Sequence, residues 1–131
     1  ARLEGTWDFS FSGLKTAVLR VVKKIEENNK ELPVNDLAAG FQQAVVDVLV
    51  DKTLQAAKVY QVKDVLLAGG VSANSLLRQE MVNKSECPVH IPPLSLCTDN
   101  AAMISAAGYF HYLVKDFSPI DMDVLPNWAL S

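Results

Sequence analysis

Apolar residues change their spacing several times along this chain, and each change marks an element. Trp7, Phe9 and Phe11 alternate with Asp8, Ser10 and Ser12, a period of two that predicts a short extended segment over 7–12 with one buried, aromatic face. Gly13 ends it. From there Leu14, Ala17, Val18, Val21, Val22 and Ile25 share one face at helical spacing, and the charged end from Lys23 to Lys30 runs out into solvent. Pro33 closes that unit. Asn35 is the expected N-cap of a second amphipathic helix reaching about Tyr60, with Leu37, Phe41, Val45, Val48 and Leu49 on its buried stripe.

The pattern then changes character. Asp64 to Ala68 is almost wholly apolar, as expected of a strand covered on both faces by helices. Gly69 and Gly70 interrupt it, and helical spacing resumes from Ser72 to about Lys84. Cys87-Pro88-Val89-His90-Ile91 is short, β-branched and bounded by prolines, which predicts a second strand leading into a loop at Pro92 and Pro93. Strand, helix, strand is a parallel crossover unit, so the chain reads as α/β, with a parallel core covered by amphipathic helices. A last helix is expected from Ala101 to about Val114, where Ala101, Ala102, Ser105, Ala106 and Gly108 permit close approach of a neighbouring backbone. Thr98 or Asp99 would cap it. The tail, with Pro119, Pro126 and Trp128, reads as irregular.

The break at Gly69 and Gly70 is the stretch with the most chemistry. A loop without Cβ atoms lets a flat ligand lie against its backbone. The following helix would present unpaired N–H groups and a positive dipole end to the same place. Such geometry suits a phosphate or a ribose-phosphate edge. Asn74, with donors and an acceptor on a short side chain, is open to two readings at this point: a contact to sugar or base, or a cap in the first turn. The glycines are equally open to being a plain turn.

Composition narrows the field. With 131 residues, half of them apolar and 21% charged, the chain has the make-up of a globular domain and is sized for one, or part of one. A net charge of −3 argues against bulk electrostatic capture of nucleic acid and leaves room only for a small local patch. Arg20, Lys23 and Lys24 crowd one helix and read as a solvated face. Cys87 and Cys97 form no metal or redox spacing, which fits a reducing, cytoplasmic setting. No apolar run approaches a membrane span.

Three ordered segments give a specific resemblance: Asp8-Phe9-Ser10-Phe11-Ser12-Gly13-Leu14-Lys15-Thr16, Leu67-Ala68-Gly69-Gly70-Val71-Ser72-Ala73-Asn74 through Leu77-Arg78, and Cys97-Thr98-Asp99-Asn100-Ala101-Ala102-Met103-Ile104. Together they closely resemble the C-terminal part of the tRNA threonylcarbamoyladenosine transferases, also filed as O-sialoglycoprotein endopeptidases or glycoproteases, and the first segment is nearest the bacterial form. The resemblance implies an actin-like and sugar-kinase-like (ASKHA) ATPase fold of two lobes. It implies transfer of threonylcarbamoyl from its adenylate to the exocyclic amine of an adenosine beside the tRNA anticodon. By the same likeness Gly69 and Gly70 match adenosine-site glycines, Asn74 matches a substrate-contacting asparagine, and Asp99 matches a carboxylate ligand of one divalent metal, iron or zinc. A hard anionic oxygen is a normal ligand for such a metal, which would serve as Lewis acid or template. The implied ligands and partners are an adenosine nucleotide (threonylcarbamoyl-AMP or ATP), tRNA, a catalytically inactive paralogue and a small ATPase.

One departure stands out. The family's other metal ligands are an H-x-x-x-H pair from its N-terminal half, and His90 and His111 have neither that spacing nor those surroundings. The glycine-rich donor loop is missing too. The expectation is therefore that residues 1–131 form a single unit, a C-terminal lobe fragment of a longer two-lobed enzyme, inactive and weakly metal-binding alone. With the companion lobe missing, such a fragment would expose apolar surface and self-associate. Asp99 has a plain alternative as an N-cap, Lys15 as an exposed helix-start cation, His90 and His111 as structural or surface histidines, and Phe9 and Phe11 as core aromatics. Cys97 has no local base and is not a nucleophile. Two other functions remain open: a kinase or ATPase of the same superfamily, and a non-catalytic paralogue that assembles with the enzyme. Neither H-E-x-x-H nor a nucleophile elbow supports a protease.

Overall fold

The computed structural model describes residues 6–123. Pro126 and Trp128, read above as part of an irregular tail, lie outside the described residues. The chain divides between Cys97 and Thr98 into two compact units.

The first unit is helix-rich α/β with a parallel strand pair. Helix α1 spans Ser12–Glu27 and begins two residues before the expected start at Leu14. No regular strand forms over 7–12; a single bridge at Phe9 precedes the helix. Leu14, Val18, Val22 and Ile25 are half-buried along one stripe, while Arg20, Lys23 and Lys24 are exposed. Phe9 and Phe11 stack on each other at 6.3 Å, but Phe9 is 43% exposed, so the expectation of a core aromatic fails there. Its ring is instead covered by a cation: Lys52 Nζ lies 5.8 Å from the centroid and donates to Thr6 O and Asp8 O at 3.0 and 2.5 Å. Lys52 thereby ties the start of the described chain to the next helix.

Helix α2, Val34–Val59, starts earlier than expected, because Leu37 N donates to Pro33 O and Pro33 itself stands at the N-cap. Asn35 is thus inside the first turn and caps nothing. The helix has two apolar faces. Val46 and Val50 are buried and join Leu54 and Ala57 against Val65, Leu77 and Met81, the core of the unit. Of the stripe read as buried, Val48 is buried as expected, whereas Leu37, Phe41, Val45 and Leu49 line a groove toward α1, and Phe41 is exposed.

Strands β1, Val65–Leu66, and β2, Val89–His90, pair in parallel with Val65 opposite Val89 and Leu66 opposite His90. Helix α3, Ser75–Lys84, is the crossover between them and packs on α2. The strands are shorter than the apolar runs, and only one face is covered. Val65 is buried, whereas Leu66 is 80% exposed, which corrects the reading of a strand sandwiched by helices. A parallel pair has two free edges and one packed face, so alternate side chains must point away from α2 and α3.

The second unit contains helix α4, Ala101–Leu113, followed by irregular chain through Asp123. None of the α4 side chains is buried. Its N-cap is Asn100, whose Oδ1 accepts from Met103 N at 3.0 Å, and neither Thr98 nor Asp99 caps it as expected.

Candidate functional site

Glycine is required where β1 gives way to the loop. Gly69 has φ +87° and ψ 171°, a region closed to side chains with a Cβ. It is exposed, and a Cβ placed there would meet nothing within 4 Å, so the space in front of the loop is open. Gly70–Ala73 then forms a 3₁₀ turn before α3 begins at Ser75. This corrects the expected helix start at Ser72, and the glycines do not feed directly into a helix N-terminus. Ser72 holds the turn: it is fully buried, and its N–H and hydroxyl both donate to Gly69 O, at 3.0 and 2.6 Å.

Asn74 closes the turn and opens the helix. Its Oδ1 accepts from Leu77 N at 3.0 Å, the N-cap bond of α3, and its Nδ2 donates to Gln42 Oε1 on α2 at 3.1 Å. The cap reading of Asn74 therefore holds, and the same bonds aim the side chain along the wall of a groove of about 760 Å³. That groove runs between α1 and α2 and is walled by Val18, Val22, Phe41 and Val45, with Val71 and Asn74 at the loop end. Lys15, left above as an exposed cation, lies on its rim. Gly69, Gly70 and Asn74 thus share one loop beside one groove.

Asp99 belongs to the second unit. With Asn100 taking the cap, the Asp99 carboxylate is exposed and has no partner among the described residues. Among these residues no group of three or more His, Cys, Asp or Glu side chains is placed to hold a metal. Both histidines are committed elsewhere, His90 Nε2 to Asp64 at 2.8 Å and His111 Nδ1 to Asp116 at 2.7 Å, in keeping with their structural reading. The donors described here do not fit a complete metal site.

Two residues matter that the sequence did not single out. Ser72 fixes the glycine loop from inside, and Arg78 reaches back under it from the next turn of α3. The available signals for Arg78 are its place at the end of the resembling segment and one turn after Asn74, on the same helix face. Lys84, at the far end of α3, is held above its ordinary value by its hydrogen bond to Glu80.

The family profile described as TsaD, tRNA N6-adenosine threonylcarbamoyltransferase, matches residues 2–106. Curated proteins of that description are similar over almost the whole chain. The relative from Dehalococcoides mccartyi is 56% identical over 129 residues, covering 98% of this chain and 38% of its own length. Those from Moorella thermoacetica and Geobacillus thermodenitrificans are 48% and 51% identical over 131 residues, covering 98% and 97% of this chain. This chain spans about 38% of the length of these relatives. The matched region contains the glycine loop, Asn74, Arg78 and Asp99 together, and the chain belongs to the tRNA N6-adenosine threonylcarbamoyltransferase family.

Proposed function

We propose that this chain is the C-terminal part of an enzyme that transfers threonylcarbamoyl from its adenylate to the exocyclic amine of the adenosine beside the tRNA anticodon. The observation that carries this is the Gly69–Asn74 loop, which opens on a backbone conformation at Gly69 that needs glycine, with open space in front of it, in a chain that aligns with these transferases at about half identity. In this reading Gly69 and Gly70 let the adenosine nucleotide approach the backbone, and Asn74 offers its amide at the groove end. An ionised carboxylate in place of that amide would retain an acceptor and lose the donor. Asp99, freed from capping by Asn100, supplies one oxygen ligand to iron or zinc, and donors from outside this chain complete the set. The two-lobed ASKHA architecture fits the parallel strand–helix–strand unit and the relatives' greater length. The inactive paralogue, the small ATPase and tRNA are the partners that this assignment brings, and the cytoplasm is its setting. No helix among the described residues is long and apolar enough to cross a membrane.

The test is complementation with the full-length protein in a strain depleted of its own transferase, scored by threonylcarbamoyladenosine in bulk tRNA. Wild type restores the modification and Asp99→Ala does not. Full modification by the Asp99→Ala protein would remove Asp99 from the metal site, and failure of the wild type to restore the modification would favour a kinase-like or purely assembling relative.

A further inference from the structure

Arg78 has an unusual set of partners. Its Nε donates to Ser72 O at 2.5 Å, and its Nη2 donates to Pro92 O at 2.9 Å and to Cys97 Sγ at 2.8 Å. None of these acceptors is a carboxylate, although the guanidinium is only half exposed. A charged fork with two nitrogens engaged, reaching two backbone carbonyls and a buried thiol, is a structural staple rather than an ion pair. The three acceptors belong to the glycine loop, to the segment that follows β2, and to the last residue of the first unit. Cys97 is 2% exposed, so its sulfur has no solvent alternative to this donor.

The consequence lies in what Ser72 does. Its own N–H and hydroxyl both hold Gly69 O while its C=O accepts from Arg78, so Ser72 links the loop to α3. Bonds from Arg78 to Ser72 O and from Ser72 to Gly69 O form a continuous chain from α3 to a backbone position that only glycine fills. We infer that Arg78 is a positioning residue for the adenosine-nucleotide loop: it acts through Ser72 on Gly69 and touches no ligand itself. This rests on the loop being the nucleotide site. Lysine retains the positive charge but presents a single nitrogen on a flexible stem, so it cannot span the three acceptors. Charge and geometry are therefore separable.

The experiment uses the full-length protein, with AMP as the probe in calorimetric titration and hydrogen exchange read at residues 69–74 and 92–97. Arg78→Lys raises the AMP dissociation constant about tenfold, the scale of a modest misplacement of a binding group, and speeds exchange at Ser72 and Asn74. In the transfer assay the donor KM rises in step while kcat at saturation stays within about twofold, since no reacting atom is touched. Arg78→Met, which retains the stem and loses every donor, shows the same split more strongly; if it fails to fold, Arg78→Lys still decides. Unchanged AMP affinity and unchanged exchange in Arg78→Lys would overturn the inference. Gly69→Ala separates the two levels. If it weakens AMP binding and Arg78→Lys does not, only the positioning role falls; if Gly69→Ala binds AMP as wild type does, the site reading falls and takes the positioning role with it.

Discussion

Asn74 satisfies a helix end and faces a groove with the same side chain, so its two roles must be separated by chemistry rather than by deletion. Its carbonyl oxygen caps α3 and its amide nitrogen reaches Gln42. Asn74→Ala removes both and is expected to cost about 1 kcal/mol of stability from the lost cap. Asn74→Asp retains the acceptor, adds a negative charge at the positive end of the helix, and leaves stability within about 0.5 kcal/mol of wild type. It nonetheless loses the donor, so transfer by the full-length enzyme falls while the melting temperature does not. Equal activity of the Asp variant and wild type would reduce Asn74 to a cap. At Gly69 the expectation is simpler. Alanine there is strained by about 1–3 kcal/mol at φ +87° and ψ 171°, with no steric contact to add to it. Thermal unfolding of Gly69→Ala beside a Gly13→Ala control measures that strain directly.

Helix ends show where sequence reasoning reaches its limit. α1, α2 and α4 each stop two residues before a left-handed non-glycine residue, Asn29, Gln61 and Lys115. In each case the next N–H reaches five residues back, from Lys30 to Ile25, from Val62 to Ala57 and from Asp116 to His111. These are Schellman closures, which ordinarily take glycine. Gln61→Gly is therefore expected to raise stability by about 1 kcal/mol, because it relieves a left-handed backbone that costs a residue with a Cβ about that much. A chemical denaturation curve with a lower midpoint for Gln61→Gly would contradict this. The broad order of helices and the parallel pairing are legible because apolar period and proline placement constrain them. The cap of α4 is not: Thr98, Asp99 and Asn100 are all good capping residues in sequence, and the choice falls to Asn100 through its extended backbone, φ −150° and ψ 154°. Arg78 and Lys52 are illegible for a different reason. Their partners include main-chain carbonyls 14 and 44 residues away, groups that every residue carries and no motif marks.

At the scale of the molecule, the described surface includes a helix that is apolar and uncharged along its exposed length. Tyr109, Phe110, Tyr112 and Leu113 on α4, with Val114 beyond it, are all more than half exposed. The helix itself carries no Asp, Glu, Lys or Arg to keep it in water. Monomeric proteins seldom leave contiguous apolar surface of more than a few hundred Å² uncovered. The 131-residue chain by itself is therefore expected to self-associate, giving a light-scattering mass well above its 14.3 kDa monomer. Phe110→Glu should move that mass toward the monomer by placing a charge in the middle of the exposed helix. The same chain should bind iron or zinc weakly, since the described residues offer Asp99 without companions. Titration with either metal decides that point, and tight one-to-one binding would require ligands that the described residues do not place together. If association persists in Phe110→Glu, the apolar wall of the α1–α2 groove, with Phe41 and Leu19 exposed along it, is the next surface to charge. A clean monomer of the unaltered chain at high concentration would show that these faces are compatible with solution as they stand, and would remove the physical reason for expecting a covering lobe.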